Sequence, residues 1–228
     1  MQTGRGKVTF LVDFDETAAE QNVAELLLHR FGDGEWEGLR EGFRQGLISL
    51  QEYQETAFRQ VKASPQEVGQ YAAEHANLRT GFLDLLRYCE LNDKQMVIVT
   101  YGLDFYVQAL LHRHGIADAV QLFSVGTRLT GRGLDFLYPY ANPACAGWGN
   151  CKCRVLERFR TQGAGIVYIG DGRSDFCPAA KADAVFARGP LLDHCRERGI
   201  PHRGFEDFHV VLAAVENGLL FGPGPSLA

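Results

Sequence analysis

The amino-acid sequence predicts an α/β protein in which a doubly wound parallel sheet carries a small helical cap inserted after the first strand. The first observation is a set of three apolar runs, VTFLVD (8–13), QMVIVT (95–100) and GIVYIGD (165–171). Each run is apolar on both faces and rich in β-branched residues, which is typical of a fully buried strand. Helical patterns follow the second and third runs, and this alternation favours a parallel sheet covered by helices.

The second observation is the length of chain between the first two predicted strands. About 80 residues separate them, whereas an ordinary crossover needs a dozen or so. The segment has helical periodicity and helix-start signals, such as SPQE (64–67), which combines an N-cap serine, a first-turn proline and a glutamate. We therefore predict a helical cap over residues 18–78 and a core formed by residues 1–17 and 79–228.

Composition and charge argue against several classes of partner. The 228 residues have a formal net charge of −5, with 23 basic and 28 acidic residues and no basic run, so nothing indicates a nucleic-acid surface or an anionic membrane surface. The sequence has no apolar stretch of membrane-spanning length, and its first residues lack the apolar region of a signal peptide. These features predict a cytoplasmic protein that acts on a small molecule, and they leave a homodimer open.

Two later segments lack the regular pattern of the core. Residues 124–150 are rich in glycine, aromatic residues and β-formers, and they predict a short hairpin or an extended excursion beside the sheet. Residues 217–228 lose periodicity and gain glycine and proline, which predicts a loosely ordered tail.

The six cysteines are too sparse for a disulfide scaffold and are predicted to be reduced thiols. Three of them, Cys145, Cys151 and Cys153, lie close together in sequence. A structural zinc site is the alternative, but the Cys-x-Cys spacing and the missing fourth ligand differ from the usual zinc-binding pairs. We interpret these residues as thiols that line a loop beside the functional site.

Four carboxylates follow the first and third predicted strands: Asp13, Asp15, Asp171 and Asp175. In a doubly wound sheet, ligands bind beyond the carboxyl ends of the strands, and these acids meet there if the two strands are neighbours. Like charges this close raise one another's pKa unless a cation neutralises them. Hard oxygen ligands without histidine or thiolate favour Mg²⁺, so the sequence predicts a magnesium site.

The spacing of the first two acids suits phosphoryl transfer. Asp13 can attack phosphorus and form an aspartyl-phosphate. Asp15, two residues further on where the chain leaves its strand, can protonate the leaving alcohol and then help water attack the intermediate.

Phosphoryl transfer also needs positive charge and hydrogen-bond donors around the transferring oxygens. Thr100 offers a hydroxyl at the end of the second predicted strand, and the backbone of Tyr101 and Gly102 offers amides. Lys152 is the candidate cation because it opens a predicted helix just before the third strand. Lys181 is the competitor, but it lies two turns into the helix predicted after Asp175.

Four segments together resemble the motifs of a known superfamily: DFDET (13–17), VIVTYG (97–102), Lys152 and GDGRSD (170–175). They are similar, in the same order, to motifs one to four of the haloacid dehalogenase superfamily in its phosphatase branch. Any one of these strings is weak evidence, whereas four in order are strong. The resemblance spans nearly the whole chain and implies a Rossmann-like core with a cap inserted after motif one.

The resemblance also implies roles for individual residues. Mg²⁺ is expected on the Asp13 side chain, the Asp15 backbone carbonyl and Asp171, with Asp175 in support, and the phosphoryl group is expected on Thr100 and Lys152. Glu16 departs from the small residue that is frequent at its position in the family. We expect its side chain to point away from the phosphate.

A narrower resemblance involves other segments of the cap and core, among them GFRQGLISLQEYQE (42–55) and DAVFARGPLLDHCRERGIPHRGFEDF (183–208). They are similar to the methionine-salvage phosphatases that act on 2-hydroxy-3-keto-5-methylthiopentenyl-1-phosphate. Phosphoserine phosphatases are the nearest rival. That family carries a cap glutamate shortly after motif one, where this chain has Asn22 with Glu20 two residues away, and the cap pattern shows no matching basic residue.

Two other classes of protein remain as alternatives at this point. A phosphoacceptor signalling module also uses strand-end acids with Mg²⁺, but such modules are about half this length and lack an insert after the first acidic strand. A non-catalytic binding protein is disfavoured because the set of acids is complete.

Overall fold

The computed structural model describes residues 7–131, 133–145 and 147–220. Within these ranges a seven-stranded sheet has the order β4-β3-β2-β1-β5-β6-β7. All neighbouring strands are parallel except β3 and β4. The strands are β1 (Val8–Val12), β2 (Gln95–Leu103), β3 (Gln121–Thr130), β4 (Gly133–Leu137), β5 (Gly165–Gly170), β6 (Ala184–Ala187) and β7 (Arg203–Gly204).

Helices cover both faces of the sheet and fill the segment after the first strand. Four of them follow β1: α1 (Val23–Phe31), α2 (Trp36–Arg44), α3 (Leu50–Arg59) and α4 (Pro65–His75). The others are α5 (Phe82–Leu91), α6 (Asp104–Arg113), α7 (Lys152–Arg160), α8 (Phe176–Ala179), α9 (Gly189–Arg198) and α10 (Phe208–Glu216).

The central strands are buried on both faces, as their sequence predicts. Phe10 and Val12 of β1 belong to one core cluster together with residues of α5, α6 and α10. Leu11, which points to the opposite face, belongs to a second cluster with residues of α7 and α9. The result is a three-layer arrangement in which β1 is the central strand of the sheet.

The predicted α/β class and doubly wound sheet are confirmed, but the sequence reading found fewer strands. It missed β6, which has four residues, and β7, which has two, and it included β3 only in part, within the hairpin or excursion predicted at 124–150. The helix expected after the third predicted strand is also shorter than its pattern indicated. It consists of a 3₁₀ turn, Arg173–Asp175, and the four-residue α8, because the chain enters β6 at Ala184.

The helix-start signal at 64–67 is confirmed. Ser64 caps α4 by accepting a hydrogen bond from the amide of Glu67, the Glu67 carboxylate accepts one from the Ser64 amide, and Pro65 occupies the first helical position. This reciprocal pair satisfies two amides at the start of the helix.

Two connecting segments join the first four helices to the rest of the chain. They meet in an antiparallel bridge between Ala19 and Leu78. The side chain of Arg79 donates hydrogen bonds of 2.8 Å to the carbonyl oxygens of Glu16 and Thr17, and so ties one segment to the other. The division into a cap at 18–78 and a core stays a prediction.

The segment after β3 forms the hairpin that the sequence offered as one of two alternatives. Residues of β4 pair with Gly126–Thr130 of β3, and a 3₁₀ turn at Pro143–Cys145 follows. Part of the predicted C-terminal tail, residues 221–228, lies outside the described residues. No helix in the described residues is long and apolar enough to cross a membrane. The cytoplasmic location and the homodimer stay predictions.

Candidate active site

The ends of three neighbouring strands position the predicted site residues. Because β2, β1 and β5 are adjacent and parallel, Thr100, Asp13 and Asp171 come to the same edge of the sheet. Asp13 directly follows β1 and Asp171 directly follows β5, whereas Thr100 lies within β2, which continues to Leu103.

Lys152 is the cation at this edge. Its side chain is 2% exposed, and its Nζ lies 2.7 Å from Oδ1 of Asp13 and 2.7 Å from Oδ1 of Asp175. Nζ also donates to the hydroxyl of Ser174 at 3.2 Å. Burial lowers the pKa of Lys152, but the charges of the two carboxylates outweigh burial and raise it above its ordinary value, so the ammonium stays charged. The competitor Lys181 lies 3.9 Å from Glu157 and is not among the residues that line the cavity described below.

Asp175 is fully buried and held by several donors. Oδ1 accepts the hydroxyl proton of Tyr168 at 2.6 Å in addition to the ammonium of Lys152. Oδ2 accepts the amides of Asp171 and Gly172 at 3.0 and 2.9 Å. Burial raises its pKa, but Lys152 and the hydrogen bonds together hold the pKa of Asp175 below its usual value. Asp175 therefore serves as a fixed negative charge that orients Lys152.

The pKa values of Asp171 and Asp13 are shifted in the opposite direction, above their usual range. Burial and then the charge of Asp175 raise the pKa of Asp171 to about 7, although a 2.7 Å hydrogen bond from Thr17 works in the other direction. The same two causes raise the pKa of Asp13 well above its usual range, despite Lys152. Carboxylate oxygens of Asp13, Asp171 and Asp175 lie within 4.8 Å of one another. Such a cluster is stabilised by a cation that replaces the protons.

The donor set fits Mg²⁺. The cluster offers hard carboxylate oxygens and no thiolate or imidazole, and two of its three acids have raised pKa values that a divalent charge would relieve. Asp13 and Asp171 are the better candidates for direct ligands, because the Asp175 carboxylate is already occupied by the four donors described above.

Asp15 stands apart from that cluster and is attached to the start of α1. Its Oδ1 accepts the amides of Val23 and Ala24 at 2.7 and 3.3 Å, and its Oδ2 accepts the hydroxyl of Tyr106 at 3.0 Å. Amides in the first turn of a helix lack intrahelical partners, so a carboxylate there is stabilised. Burial nevertheless dominates and raises the pKa of Asp15 to about 6. A carboxyl group with such a pKa can exchange protons near neutral pH.

Glu16 occupies a left-handed backbone conformation with φ of 58°. Glycine adopts this region without strain, which gives a physical reason for a small residue at this position. The Glu16 side chain is exposed and accepts a 3.4 Å hydrogen bond from Asn22, but it still contributes to the lining of the cavity. The expectation that it points away from the phosphate stays a prediction.

The three predicted donors on β2 have different surroundings. The hydroxyl oxygen of Thr100 accepts a 2.8 Å hydrogen bond from the amide of Gly102. The hydroxyl proton of Thr100 is therefore still available to a ligand, whereas the amide of Gly102 already has a partner. A side chain at Gly102 would lie 2.6 Å from the hydroxyl of Tyr106, so the close approach requires glycine. Tyr101 contributes its ring, whose centroid lies 5.1 Å from Nζ of Lys152 in a cation–π contact, and its carbonyl accepts a 2.8 Å hydrogen bond from Gln54.

A cavity of about 280 Å³ lies over this edge and is lined by residues of α1, α2 and α3 as well as by residues at the strand ends. One wall is aromatic: Phe43 is stacked on Tyr53 at a centroid distance of 6.0 Å and meets Trp148 edge-on at 6.3 Å. Trp148 in turn is stacked on Tyr101 at 5.6 Å. Phe43 thus forms part of this wall, whereas Trp36, the first residue of α2, packs against His29 of α1.

Helix α2 also brings positive charge to the cavity, although the sequence showed no basic residue there that matches the phosphoserine phosphatase pattern. Arg40 and Arg44 both line the cavity. Arg40 forms an ion pair of 2.5 Å with Glu25. Nε of Arg40 and the hydroxyl of Tyr53 are buried and have no hydrogen-bond partner among the described residues.

Sequence reasoning missed several contacts around the predicted acids. Tyr106 is fully buried within the core, yet its hydroxyl donates a hydrogen bond to Asp15. Thr17 and Tyr168 hold Asp171 and Asp175, respectively. A tyrosine inside an otherwise apolar strand, such as Tyr168, is the available signal, because a buried hydroxyl needs a partner.

Comparison with known proteins agrees with this geometry. Residues 10–180 match the family model of the haloacid dehalogenase-like hydrolases. The 2-hydroxy-3-keto-5-methylthiopentenyl-1-phosphate phosphatase of Bacillus velezensis is 30% identical over 91% of this chain and 89% of the relative. The enzyme of the same name from Geobacillus kaustophilus is 30% identical over 92% of this chain and 96% of the relative.

Solved structures share the fold at low identity. The HAD family hydrolase t0658 of Salmonella enterica serovar Typhi has a TM-score of 0.72 and 17% identity over 94% of this chain and 70% of that chain. A phosphoserine phosphatase in a phospho-aspartyl intermediate analogue form has a TM-score of 0.68 and 18% identity over 91% and 98%. The chain therefore belongs to the haloacid dehalogenase-like hydrolases. Within them it is a phosphatase, which excludes the signalling module and the non-catalytic binding protein.

Proposed function

We propose that this phosphatase is a Mg²⁺-dependent hydrolase of 2-hydroxy-3-keto-5-methylthiopentenyl-1-phosphate and works through an aspartyl-phosphate. The observation that carries the chemistry is the convergence of Asp13, Lys152 and Thr100 at the floor of one cavity, with Asp15 beside them. The relatives named above, at 30% identity, support the choice of substrate.

Asp13 is the nucleophile in this mechanism. Lys152 and the amide of Phe14 both contact Oδ1, at 2.7 and 2.8 Å, which leaves Oδ2 as the attacking atom. Oδ2 forms a bond to phosphorus as the bond from phosphorus to the ester oxygen breaks. Lys152 and the hydroxyl proton of Thr100 stabilise the transferring oxygens.

Asp15 moves the protons of both half-reactions. It gives its proton to the leaving alcohol oxygen, and it then takes a proton from the water that attacks phosphorus and releases Asp13. Its pKa of about 6 suits both roles near neutral pH. The contacts with Val23, Ala24 and Tyr106 keep the carboxyl group in place.

Asp13, Asp171 and the backbone carbonyl of Asp15 would hold Mg²⁺, with Asp175 as the supporting acid. When bound, the ion would neutralise charge on the phosphate and the acid cluster.

The aromatic wall of the cavity supports the choice of a substrate with an apolar thioether end. A sulfur atom is attracted to aromatic rings, and Phe43, Tyr53 and Trp148 provide three of them in one wall. Tyr53 also lines this cavity, and its buried hydroxyl has no hydrogen-bond partner among the described residues. It is suited to donate to a carbonyl or hydroxyl oxygen of the substrate, because a buried polar group without a partner costs free energy.

Phosphoserine is the second candidate, and one observation favours it. Glu25 and Arg40 line the cavity as a pair of opposite charges, which could meet an amino group and a carboxylate. In this structure the two side chains neutralise each other across 2.5 Å, so binding phosphoserine requires the pair to separate.

The test compares kcat/KM for the methylthiopentenyl phosphate, phosphoserine and para-nitrophenyl phosphate with Mg²⁺ present. We expect the first to be preferred over phosphoserine by at least about 100-fold, which corresponds to roughly 3 kcal/mol of differential binding. Preference for phosphoserine would overturn the substrate assignment and leave the chemistry intact.

The chemistry has its own test in Asp13→Asn. This variant should lose multiple turnover on every substrate while it keeps the folded state, with the exposed Asp118→Asn as the matched control that retains activity. Turnover at the wild-type rate by Asp13→Asn would contradict the proposed nucleophile.

A further inference from the structure

Four of the six cysteines lie together beside the catalytic lysine. Cys145, Cys151, Cys153 and Cys177 line a single cavity of about 120 Å³. The same cavity is lined by Tyr101, Lys152 and Ser174, which also line the larger cavity over the acids. The thiol cavity therefore shares a wall with the active site.

The four thiols form two close pairs. Sγ of Cys145 lies 3.3 Å from Sγ of Cys151, and Sγ of Cys153 lies 3.1 Å from Sγ of Cys177. A disulfide bond is about 2.05 Å long, so each pair would close with a shift of roughly 1 Å. Elsewhere in the chain Cys89 and Cys195 are buried thiols, and they do not line this cavity.

Each pair combines an accessible thiol with a buried one. Cys177 is exposed and its neighbour Cys153 is buried, while Cys145 is partly exposed and its neighbour Cys151 is buried. This is the arrangement of a thiol that meets an oxidant and a second thiol that resolves the product.

The two pairs flank Lys152 along the chain. Cys151 is the N-cap residue of α7, Lys152 is its first residue and Cys153 its second. One pair connects the start of α7 to the preceding 3₁₀ turn, and the other connects α7 to α8. Any movement of these sulfur atoms therefore acts on the backbone that positions the ammonium group of Lys152.

A metal site is a poorer explanation of the cluster. Among the described residues, the acids Asp13, Asp171 and Asp175 are the group of three or more side chains whose ligand atoms approach one another within 4.8 Å, and no set of three thiols does so. The thiols approach in twos, which suits disulfides.

We propose that this cluster is a thiol–disulfide site through which a peroxide reversibly switches the phosphatase off. Cys177 attacks hydrogen peroxide as the thiolate, which breaks the O–O bond, gives a sulfenic acid and releases one water. The sulfur of Cys153 then displaces the sulfenic oxygen as a second water and forms the S–S bond. Two thiols lose two electrons and two protons, and the peroxide is reduced to two waters. Cys145 and Cys151 follow the same two steps more slowly, because burial and the contact with Cys151 raise the pKa of the Cys145 thiol to about 11 and so lower its thiolate fraction.

Loss of activity follows from the position of Lys152. Its Nζ contacts Asp13 and Asp175 at 2.7 Å each, so a backbone shift that moves Nζ disturbs both contacts. A displacement of about 1 Å in a catalytic group can cost up to 100-fold in rate. The oxidised enzyme should therefore turn over more slowly, and reduction with dithiothreitol should restore it.

The experiment treats the Mg²⁺-loaded, fully reduced enzyme with hydrogen peroxide and follows two readouts. Intact mass and a non-reducing peptide digest should show the disulfides Cys153–Cys177 and Cys145–Cys151, with the loss of two hydrogens for each. The turnover of para-nitrophenyl phosphate should fall at least about tenfold and recover with dithiothreitol.

Variants separate the switch from general oxidative damage. The double variant Cys145→Ser, Cys177→Ser should keep its activity in peroxide, since both accessible thiols are gone, whereas Cys89→Ala should stay as sensitive as the wild type. Three results would overturn the proposal: addition of oxygen in place of disulfides, disulfides that leave turnover unchanged, or equal inactivation of the double variant.

Discussion

Replacing Asp171 by asparagine should make the metal-free protein more stable while it removes the response to Mg²⁺. Asparagine has nearly the same shape as aspartate and keeps an oxygen that can accept the 2.7 Å hydrogen bond from Thr17. The change removes one negative charge from a buried cluster that also contains Asp13 and Asp175. Stability and function are therefore expected to move in opposite directions.

The size of the effect follows from the pKa of Asp171. The folded state raises it from 3.8 to about 7. The folded protein thus binds more protons than the unfolded chain between these values, so its stability falls as the pH rises through this window and is constant above it. At about 1.4 kcal/mol per pKa unit, the ceiling is about 4 kcal/mol above pH 7. We expect about half of this, because Asp13 can hold a proton in place of Asp171.

Thermal unfolding in the presence of EDTA measures the effect. A gain of about 2 kcal/mol corresponds to a rise in Tm of roughly 4–8 °C for a chain of this size. Asp171→Asn should show this rise at pH 8 and a smaller one at pH 5, and Mg²⁺ should raise the Tm of the wild type far more than that of the variant. The exposed Asp118→Asn should change neither value. An unchanged or lower Tm for Asp171→Asn at pH 8 would refute the electrostatic reasoning.

Three further substitutions test other contacts of the site. Lys152→Met should lower the free energy of unfolding by about 3–5 kcal/mol, measured by urea denaturation, because it leaves buried carboxylates unpaired, and it should abolish turnover. Tyr106→Phe removes a donor that lowers the pKa of Asp15, so the alkaline limb of kcat/KM for an alkyl phosphate should move to higher pH; an unmoved limb would exclude Asp15 as the acid. Tyr53→Phe should raise KM for the methylthiopentenyl phosphate about tenfold and leave para-nitrophenyl phosphate nearly unaffected, and equal effects on both would argue against a specific contact.

The parts of the fold that sequence predicted are those with a local signal. The strands β1, β2 and β5 are runs of apolar, β-branched residues, and a buried parallel strand needs nothing more to be recognised. The strands β6 and β7 are four and two residues long, too short for periodicity to separate them from a loop. The strand β3 was predicted only as part of a hairpin or an extended excursion, because no residue of its second half is buried and its pattern is therefore mixed.

The residues of the candidate site also fall into those that a local sequence signal predicted and those that it did not. Asp13, Asp15, Asp171 and Asp175 were found because they follow strong strands, and Lys152 because it begins a helix. The role of Tyr106 was not found, because a tyrosine among leucines on α6 has the pattern of a core residue. Only the structure shows that its hydroxyl lies 3.0 Å from Asp15.

By itself, the sequence determined which residues reach the edge of the sheet, because the ends of strands and the starts of helices depend on short, local stretches of the chain. Only the tertiary structure decided what those residues touch. The contact of Lys152 with both Asp13 and Asp175, the aromatic and charged lining of the cavity, and the pairing of Cys153 with Cys177 all join segments that are distant in the chain. Periodicity carries no information about such contacts, since they depend on how whole helices and strands pack.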